Sequence, residues 1–382
     1  MNKSSLVGTR VALTQPYVPA YRKPLWDRII RLLAEQDVEA RVFYGWDVEQ
    51  ARSILGRGDA VHPAWATFVP SRSIRTLPGL PKLQYRRLPK GWRGRSVLLV
   101  TEMQAANLNA WAAAHLDKPY LTLGHGMSDT TNAGKLASTL ETHLNKHAAH
   151  VLTYSDEGRE YVTGKGIDPS KVTAFHNATD TRRLQHALQN STLSVQTAFR
   201  TEHGIPTSAS VALYLGALNR HKNIDLLVEA ARLVFRADPN RWLVVAGDGE
   251  HRHKLERLAS QSARVVMLGQ ANAEDYAPIA KSCTVLLNPG RVGLVAVDAL
   301  VMGVPVLSTQ TAAHAPEFAY LRPGIDVLET ESTAEAYASA WLSVERSSNT
   351  TRTMYPSVEE AANTITQVIL AVLRSDRLSV RR

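Results

Sequence analysis

VALYLGALNRHKNIDLLVEAARLVFRA, residues 211–237, is the stretch on which the reading of the fold turns. It opens with an apolar run of strand length that stops at Gly216, and it closes with fourteen residues whose apolar positions recur at helical spacing. Between them lies ALNRHKN, a short polar loop with three basic residues, Arg220, His221 and Lys222. The same strand, loop, helix order then repeats: RWLVVAG and EHRHKLERLASQ, ARVVMLG and AEDYAPIAKS, CTVLLN and GLVAVDALVMG, and a last strand VPVLS. Strands joined by helical crossovers predict a parallel sheet covered on both faces.

The pattern is also present upstream. RVALTQ, PLWDRIIRLLAEQ and VEARVFYG read as strand, helix, strand; SVLLVTEM, AANLNAWAAAHL and PYLTLGHG repeat that order, and VLTYS with DEGREYVTGKG continues it. Across residues 178–208 the alternation fades into polar and turn residues, which reads as a linker region. The expected organisation is two tandem α/β domains, residues 1–185 and 186–355, followed by a helix within 356–382 that follows Pro356 and packs back on the first domain. At about 150 residues per domain, 382 residues fit that count.

Composition narrows the function. Hydrophobic residues at 44% and charged residues at 21% are the balance of a globular protein and exclude a disordered chain. No run approaches the roughly 20 apolar residues of a membrane-spanning helix, and the first residues lack a signal-peptide core, so a cytoplasmic protein is expected. The single cysteine, Cys283 in CTVLL, reads as a small core residue. A net charge of +9 favours anionic partners. No spacing of histidines, cysteines or carboxylates suggests a metal site.

Doubly wound sheets bind ligands beyond the carboxyl ends of their strands, and two such sheets facing each other would place a site in the cleft between them. The loops after strands therefore carry the candidates. Arg220 and Lys222 precede a helix N-terminus, where cations do not complement the helix dipole and so ask for an anion. Gly216 closes the strand before them, and GDGE places Gly247 and Gly249 in a turn that admits close approach of backbone to a ligand. In NPGRVGLVAVDAL, residues 288–300, Gly290, Arg291, Val292, Gly293 and Leu294 run into an apolar helix whose amides could meet a phosphate, with Asp298 placed to bond ribose hydroxyls.

These segments, at this spacing, resemble the C-terminal half of glycosyltransferase family 4, and VLTYSDEGREYVTGKGIDPSKVTAFHNATDTRRL resembles its last N-domain unit. The resemblance implies the GT-B fold and a retaining enzyme that uses a nucleotide sugar as co-substrate, with no cofactor and no metal. Lys222 matches the lysine that binds donor phosphates. Ala217 stands where the family has an arginine, whose charge Arg220 would supply. His125 matches the histidine near the reacting sugar, and Asn177 and Asp180 match the turn that closes the first domain, with Ala178 replacing its glycine. The paired glutamates of the Glu-x7-Glu motif align with Gly290 and Asp298, so the ribose contact is kept in shortened form while the sugar contact is missing. The implied mechanism is attack by an acceptor hydroxyl on the face from which the diphosphate leaves, with Arg220, Lys222 and helix amides stabilising the leaving group.

On the acceptor side, Tyr17, Tyr21 and Arg22 follow the first strand, and their aromatic faces suit a sugar ring. Residues 71–95 hold eight basic residues and no acidic one, interleaved with Tyr85 and Trp92. Such a segment suits an anionic membrane surface carrying a glycan or lipid-linked acceptor, or, less well, nucleic acid. The alternatives to a glycan transferase are a transferase acting on DNA or protein and an inactive nucleotide-sugar-binding relative.

Overall fold

The protein is described by a computed structural model over residues 6–55, 59–74, 82–126, 135–345 and 355–380. It divides into two compact units, Met1–Asn177 with Ser357–Arg382, and Ala178–Pro356.

The first unit contains β1 (Thr9–Gln15), α1 (Lys23–Ala34), β2 (Val38–Tyr44), α2 (Val48–Leu55), β3 (Ala66–Phe68), β4 (Ser71–Ile74) and β5 (Leu83–Arg86). It continues with β6 (Val97–Glu102), α3 (Leu108–His115), β7 (Tyr120–Gly124), α4 (Lys135–His147), β8 (His150–Thr153), α5 (Asp156–Gly164) and β9 (Val172–Ala174). Seven strands form a parallel sheet in the order β3-β2-β1-β6-β7-β8-β9, while β4 and β5 pair antiparallel as a hairpin. Leu13 is in register with Val42 on one side and Val100 on the other.

The second unit begins with α6 (Thr181–Asn190) and α7 (Leu193–Glu202), followed by β10 (Ser210–Leu215), α8 (Ile224–Ala237), β11 (Arg241–Ala246), α9 (Arg252–Gln261), β12 (Val265–Gly269) and α10 (Ala273–Ala280). Then come β13 (Val285–Leu287), α11 (Val295–Met302), β14 (Val306–Thr309), β15 (Val327–Thr330) and α12 (Ala334–Ser343). Its six parallel strands run β12-β11-β10-β13-β14-β15. Alternate residues of β10 point to opposite faces: Val211, Leu213 and Leu215 enter one core, Ala212 and Tyr214 the other. Helix α8 buries Ile224, Leu227, Ala231 and Val234 against the second of these, at the i, i+3, i+7 and i+10 spacing of one helix face. Each such leucine or valine contributes roughly 1.5–3 kcal/mol.

The chain then returns to the first unit, where α13 (Val358–Val380) lies on α1. Two stripes meet there, Leu25, Trp26, Ile29 and Leu33 of α1 and Ala361, Ala362, Ile365 and Ile369 of α13 among the buried residues.

Residues 178–208 are not an irregular linker. Asp180 accepts from the Arg183 amide and Thr192 from the Val195 amide, and these two caps start α6 and α7, which pack on α10. Helix α6 also packs on α11, which is why the change from one unit to the next falls at Asn177 and Ala178 rather than at residue 185.

Candidate functional site

In each sheet the strand order reverses between two central strands, β1 and β6 in the first unit and β10 and β13 in the second. Such a reversal opens a crevice at the carboxyl ends of the strands. In the second unit, three loops meet there backbone to backbone. A Cβ at Gly247 would lie 1.9 Å from the Gly216 carbonyl oxygen, and one at Gly290 would lie 2.3 Å from that of His221 and 2.5 Å from the Lys222 carbonyl carbon. No side chain fits at either position unless another loop moves, so loop-on-loop packing by itself requires glycine at both. Gly249 meets the Leu218 carbonyl in the same way. Gly293 differs: its nearest neighbour would be Ala315 Cβ at 3.6 Å, an ordinary contact.

The packing of these loops fixes the charges. Lys222 sits in a 3-10 turn, Arg220–Lys222, just before α8, and its Nζ passes over Gly216 to donate to the Arg291 carbonyl at 2.6 Å. Burial, and then the charge of Arg291, hold the Lys222 ammonium down to about 8. His314, after β14, stacks on Phe318 with ring centroids 3.7 Å apart. Burial lowers it to about 4, against a raising interaction with the Thr309 backbone and with Lys222 and Arg291 adding to the lowering. Among the described residues neither Lys222 nor Arg291 has a carboxylate within ion-pair distance. Arg220, by contrast, is exposed, with Nε 3.3 Å from His221 Nε2; the charge brought to Lys222 is that of Arg291.

The amides can be accounted for one by one. Those of Arg291 and Val292 are occupied, the first by the His221 carbonyl at 2.8 Å and the second by His314 Nδ1 at 3.2 Å. Those of Gly293 and Leu294, just ahead of α11, have no acceptor among the described residues. An anion at this helix end would thus be met by Gly293 and Leu294 and not by Arg291 and Val292 as the sequence suggests. One turn into α11, the half-buried Asp298 takes a hydrogen bond from Thr179 Oγ1 at 2.9 Å. Burial raises its carboxyl to about 6, with the Thr179 bond pulling the other way. Tyr276 of α10 is raised by burial and by the Asp298 charge.

The reversal in the first unit has a different character. Arg86 of β5 is 2% exposed, and it donates to the Gly45 carbonyl and pairs with Glu102 at 3.1 Å. Glu102 accepts further from Thr14, Thr101 and Asn107. Arg86 is therefore no part of a basic docking surface. Trp92 is also lost to that reading, since it is buried against Phe43. Arg72, Lys82, Arg87, Lys90, Arg93 and Arg95 remain exposed, and residues 75–81 of the basic stretch lie outside the described residues.

At the ends of β7 and β8 the His125 ring lies 4.6 Å from that of Tyr154, and the guanidinium of Arg22 stands 4.8 Å over the same Tyr154 ring, whose hydroxyl it also bonds. Two of the proposed residues, His125 and Arg22, are thus joined through a third that the sequence did not single out. Tyr17 reaches Asp59 at 3.5 Å, and Tyr21 is exposed. His314, Thr179, Tyr276 and Tyr154 carry no spacing signal; only their nearness to strand ends or to the turn after Asn177 could have drawn attention to them.

Two doubly wound parallel units of this kind define the GT-B class. Residues 25–183 match the glycosyltransferase family 4 model and residues 195–359 match the glycosyl transferases group 1 model, one in each half of the chain. Among curated relatives, D-inositol 3-phosphate glycosyltransferase 2 of Catenulispora acidiphila is 28% identical over 46% of this chain and 43% of its own length. D-inositol 3-phosphate glycosyltransferase of Pseudarthrobacter chlorophenolicus is 25% identical over 46% of this chain and 42% of its own. The match spans less than half the length of these relatives. The fold is shared with Anabaena Alr3699/HepE in complex with UDP, at TM-score 0.61 and 14% identity over 98% of this chain and 99% of that one. It is shared too with the UDP-GlcNAc 2-epimerase of Neisseria meningitidis, at TM-score 0.59 and 11% identity over 95% and 99%. Among the described residues no helix is long and apolar enough to cross a membrane, and no cluster of histidine, cysteine and carboxylates could hold a metal ion.

Proposed function

We propose that this chain is a retaining, metal-independent glycosyltransferase that takes its sugar from a nucleoside diphosphate donor. The observation that carries the reading is the charge after β10 and β13: among the described residues Lys222 and Arg291 meet no carboxylate, and the amides of Gly293 and Leu294, two and three residues after Arg291, meet no acceptor. A diphosphate supplies the missing charge and acceptors. Asp298 takes a ribose hydroxyl. As the acceptor hydroxyl attacks the anomeric carbon from the face the diphosphate leaves, the carbon–oxygen bond to the phosphate breaks, negative charge grows on the phosphate oxygen, and Lys222 and the two amides stabilise it. That oxygen takes the proton of the acceptor, so no protein nucleophile is used. His125, with Arg22, Tyr17 and Tyr21, belongs to the acceptor end, and the exposed basic side chains of residues 82–95 favour a glycan acceptor that is itself anionic or lipid-linked.

Gly290 bears on the choice of sugar. A glutamate there would strike the backbone of His221 and Lys222, so the transferred sugar is read by other groups, for which the His314 imidazole beside the loop is the nearest candidate. The test is a thermal-shift panel of UDP, GDP and TDP sugars, with a CMP sugar as the monophosphate control. A diphosphate sugar stabilises the wild type, and Lys222→Ala weakens its binding about 100-fold, roughly 2.7 kcal/mol. Unchanged shifts in both Lys222→Ala and Asp298→Ala would place the donor elsewhere; binding with neither transfer nor hydrolysis would leave a nucleotide-sugar-binding relative.

A further inference from the structure

Asp298 has two carboxylate oxygens, and they are not equivalent. Oδ1 accepts from Thr179 Oγ1 at 2.9 Å, while Oδ2 has no donor among the described residues. Thr179 is itself held on both sides. Its carbonyl accepts from the Thr181 amide at 2.8 Å, and the next residue, Asp180, caps α6 through the Arg183 amide. Since α6 packs on both α10 and α11, the threonine hydroxyl and the carboxylate it bonds are carried by elements of one packed group. The bond joins positions 119 residues apart, and it comes from the turn by which the chain enters the second unit.

Oδ1 keeps a second lone pair, but its bond to Thr179 fixes the direction of the carboxylate and leaves Oδ2 as the oxygen that no other group holds. We propose that Thr179 is a positioning residue for nucleoside recognition: by holding Oδ1 of Asp298 it leaves Oδ2 to read a single ribose hydroxyl of the donor. The inference rests on the donor-site reading above and extends it to the ribose. It makes this site indifferent to one of the two hydroxyls, so that a nucleoside diphosphate lacking that hydroxyl is an equal ligand. Burial raises the Asp298 carboxyl only to about 6, so the group that does this reading is ionised at neutral pH.

The test uses the full chain and titrates UDP and GDP, each with its 2′-deoxy and 3′-deoxy form, against wild type, Thr179→Val, Thr179→Ser and Asp298→Asn. In the wild type one deoxy form binds within twofold of its parent and the other about tenfold more weakly. Thr179→Val weakens the parent about tenfold but leaves the affinity of the sensitive deoxy form unchanged, and Thr179→Ser restores the wild-type pattern. Equal loss for both deoxy forms in the wild type overturns the proposal, as does a Thr179→Val variant that weakens every nucleotide alike, which is the mark of a merely structural threonine. Should Thr179→Val not fold, the wild-type deoxy series and Thr179→Ser still decide. If no nucleoside diphosphate binds the wild type at all, it is the donor-site reading that fails, and this inference with it.

Discussion

The two places where strand order reverses both hold cations, and they differ in what meets those cations. In the first unit, after β1 and β6, the buried cation Arg86 is met by Glu102, and Glu102 by two threonines and an asparagine. In the second, after β10 and β13, Lys222 donates to the Arg291 carbonyl, and neither Lys222 nor Arg291 meets a carboxylate among the described residues. A charge buried without a partner is costly unless something from outside completes it. The difference therefore separates a polar network that finishes the fold from one that an anionic ligand finishes, a distinction that net charge alone cannot make.

The comparison can be broken most severely at Arg86. Arg86→Ala strands Glu102 and should cost about 3–5 kcal/mol of stability, with nucleotide affinity unchanged in the protein that remains folded; denaturant unfolding followed by nucleotide titration checks both halves. A loss of nucleotide affinity equal to that of Lys222→Ala would erase the distinction between the two places.

Next in size is Gly290→Glu, which puts back the carboxylate that the family motif has at this position. Because the added side chain meets the backbone of His221 and Lys222, it should destabilise the second unit by about 3 kcal/mol and abolish donor binding. Gly293→Ala, three residues on, adds its methyl in ordinary contact with Ala315 and should change stability by less than about 0.5 kcal/mol. Calorimetry of the two variants sets them side by side, and a stable, donor-binding Gly290→Glu protein would refute the packing account of that glycine.

The smallest effect is a pH dependence confined to the second place. Lys222 loses its proton as pH rises through about 8, and a bound diphosphate favours the protonated form, so donor affinity should fall above about 8. Asp298 gains a proton as pH falls through about 6, and the neutral acid is a poorer acceptor, so affinity should fall below about 6. Each limb can be no steeper than about tenfold per pH unit. Titration with a nucleoside diphosphate sugar should show a plateau between the two limits, with the alkaline limb absent from Lys222→Ala and the acid limb absent from Asp298→Asn.

How much of this the sequence discloses follows from the range of the interactions. The β10 and α8 pair is legible because apolar periodicity is local, and the loops that carry Lys222 and the 288–294 segment follow from their places after strands. Helices α6 and α7 are not, since ATDTRRLQHALQNSTLSVQ offers few apolar positions and its caps, Asp180 and Thr192, resemble turn residues until the chain is seen to pack on α10. Arg86 stands in a run of basic residues and reads as surface; its burial depends on Glu102 arriving from another strand. Gly290 could be recognised as a departure from the motif, but the reason for it lies in the backbone of residues 221 and 222, which no spacing within its own loop reveals.

The return of α13 to α1 also sets an order of events in synthesis. The second unit is one unbroken segment, Ala178–Pro356, whereas the first is split, and the helix covering Trp26, Ile29 and Leu33 is made only after that whole segment has been made. While the ribosome adds those residues, α1 has β2 to lie against but not α13, and the side that α13 covers is a natural hold for a chaperone. The domain begun first is in this way the one completed last.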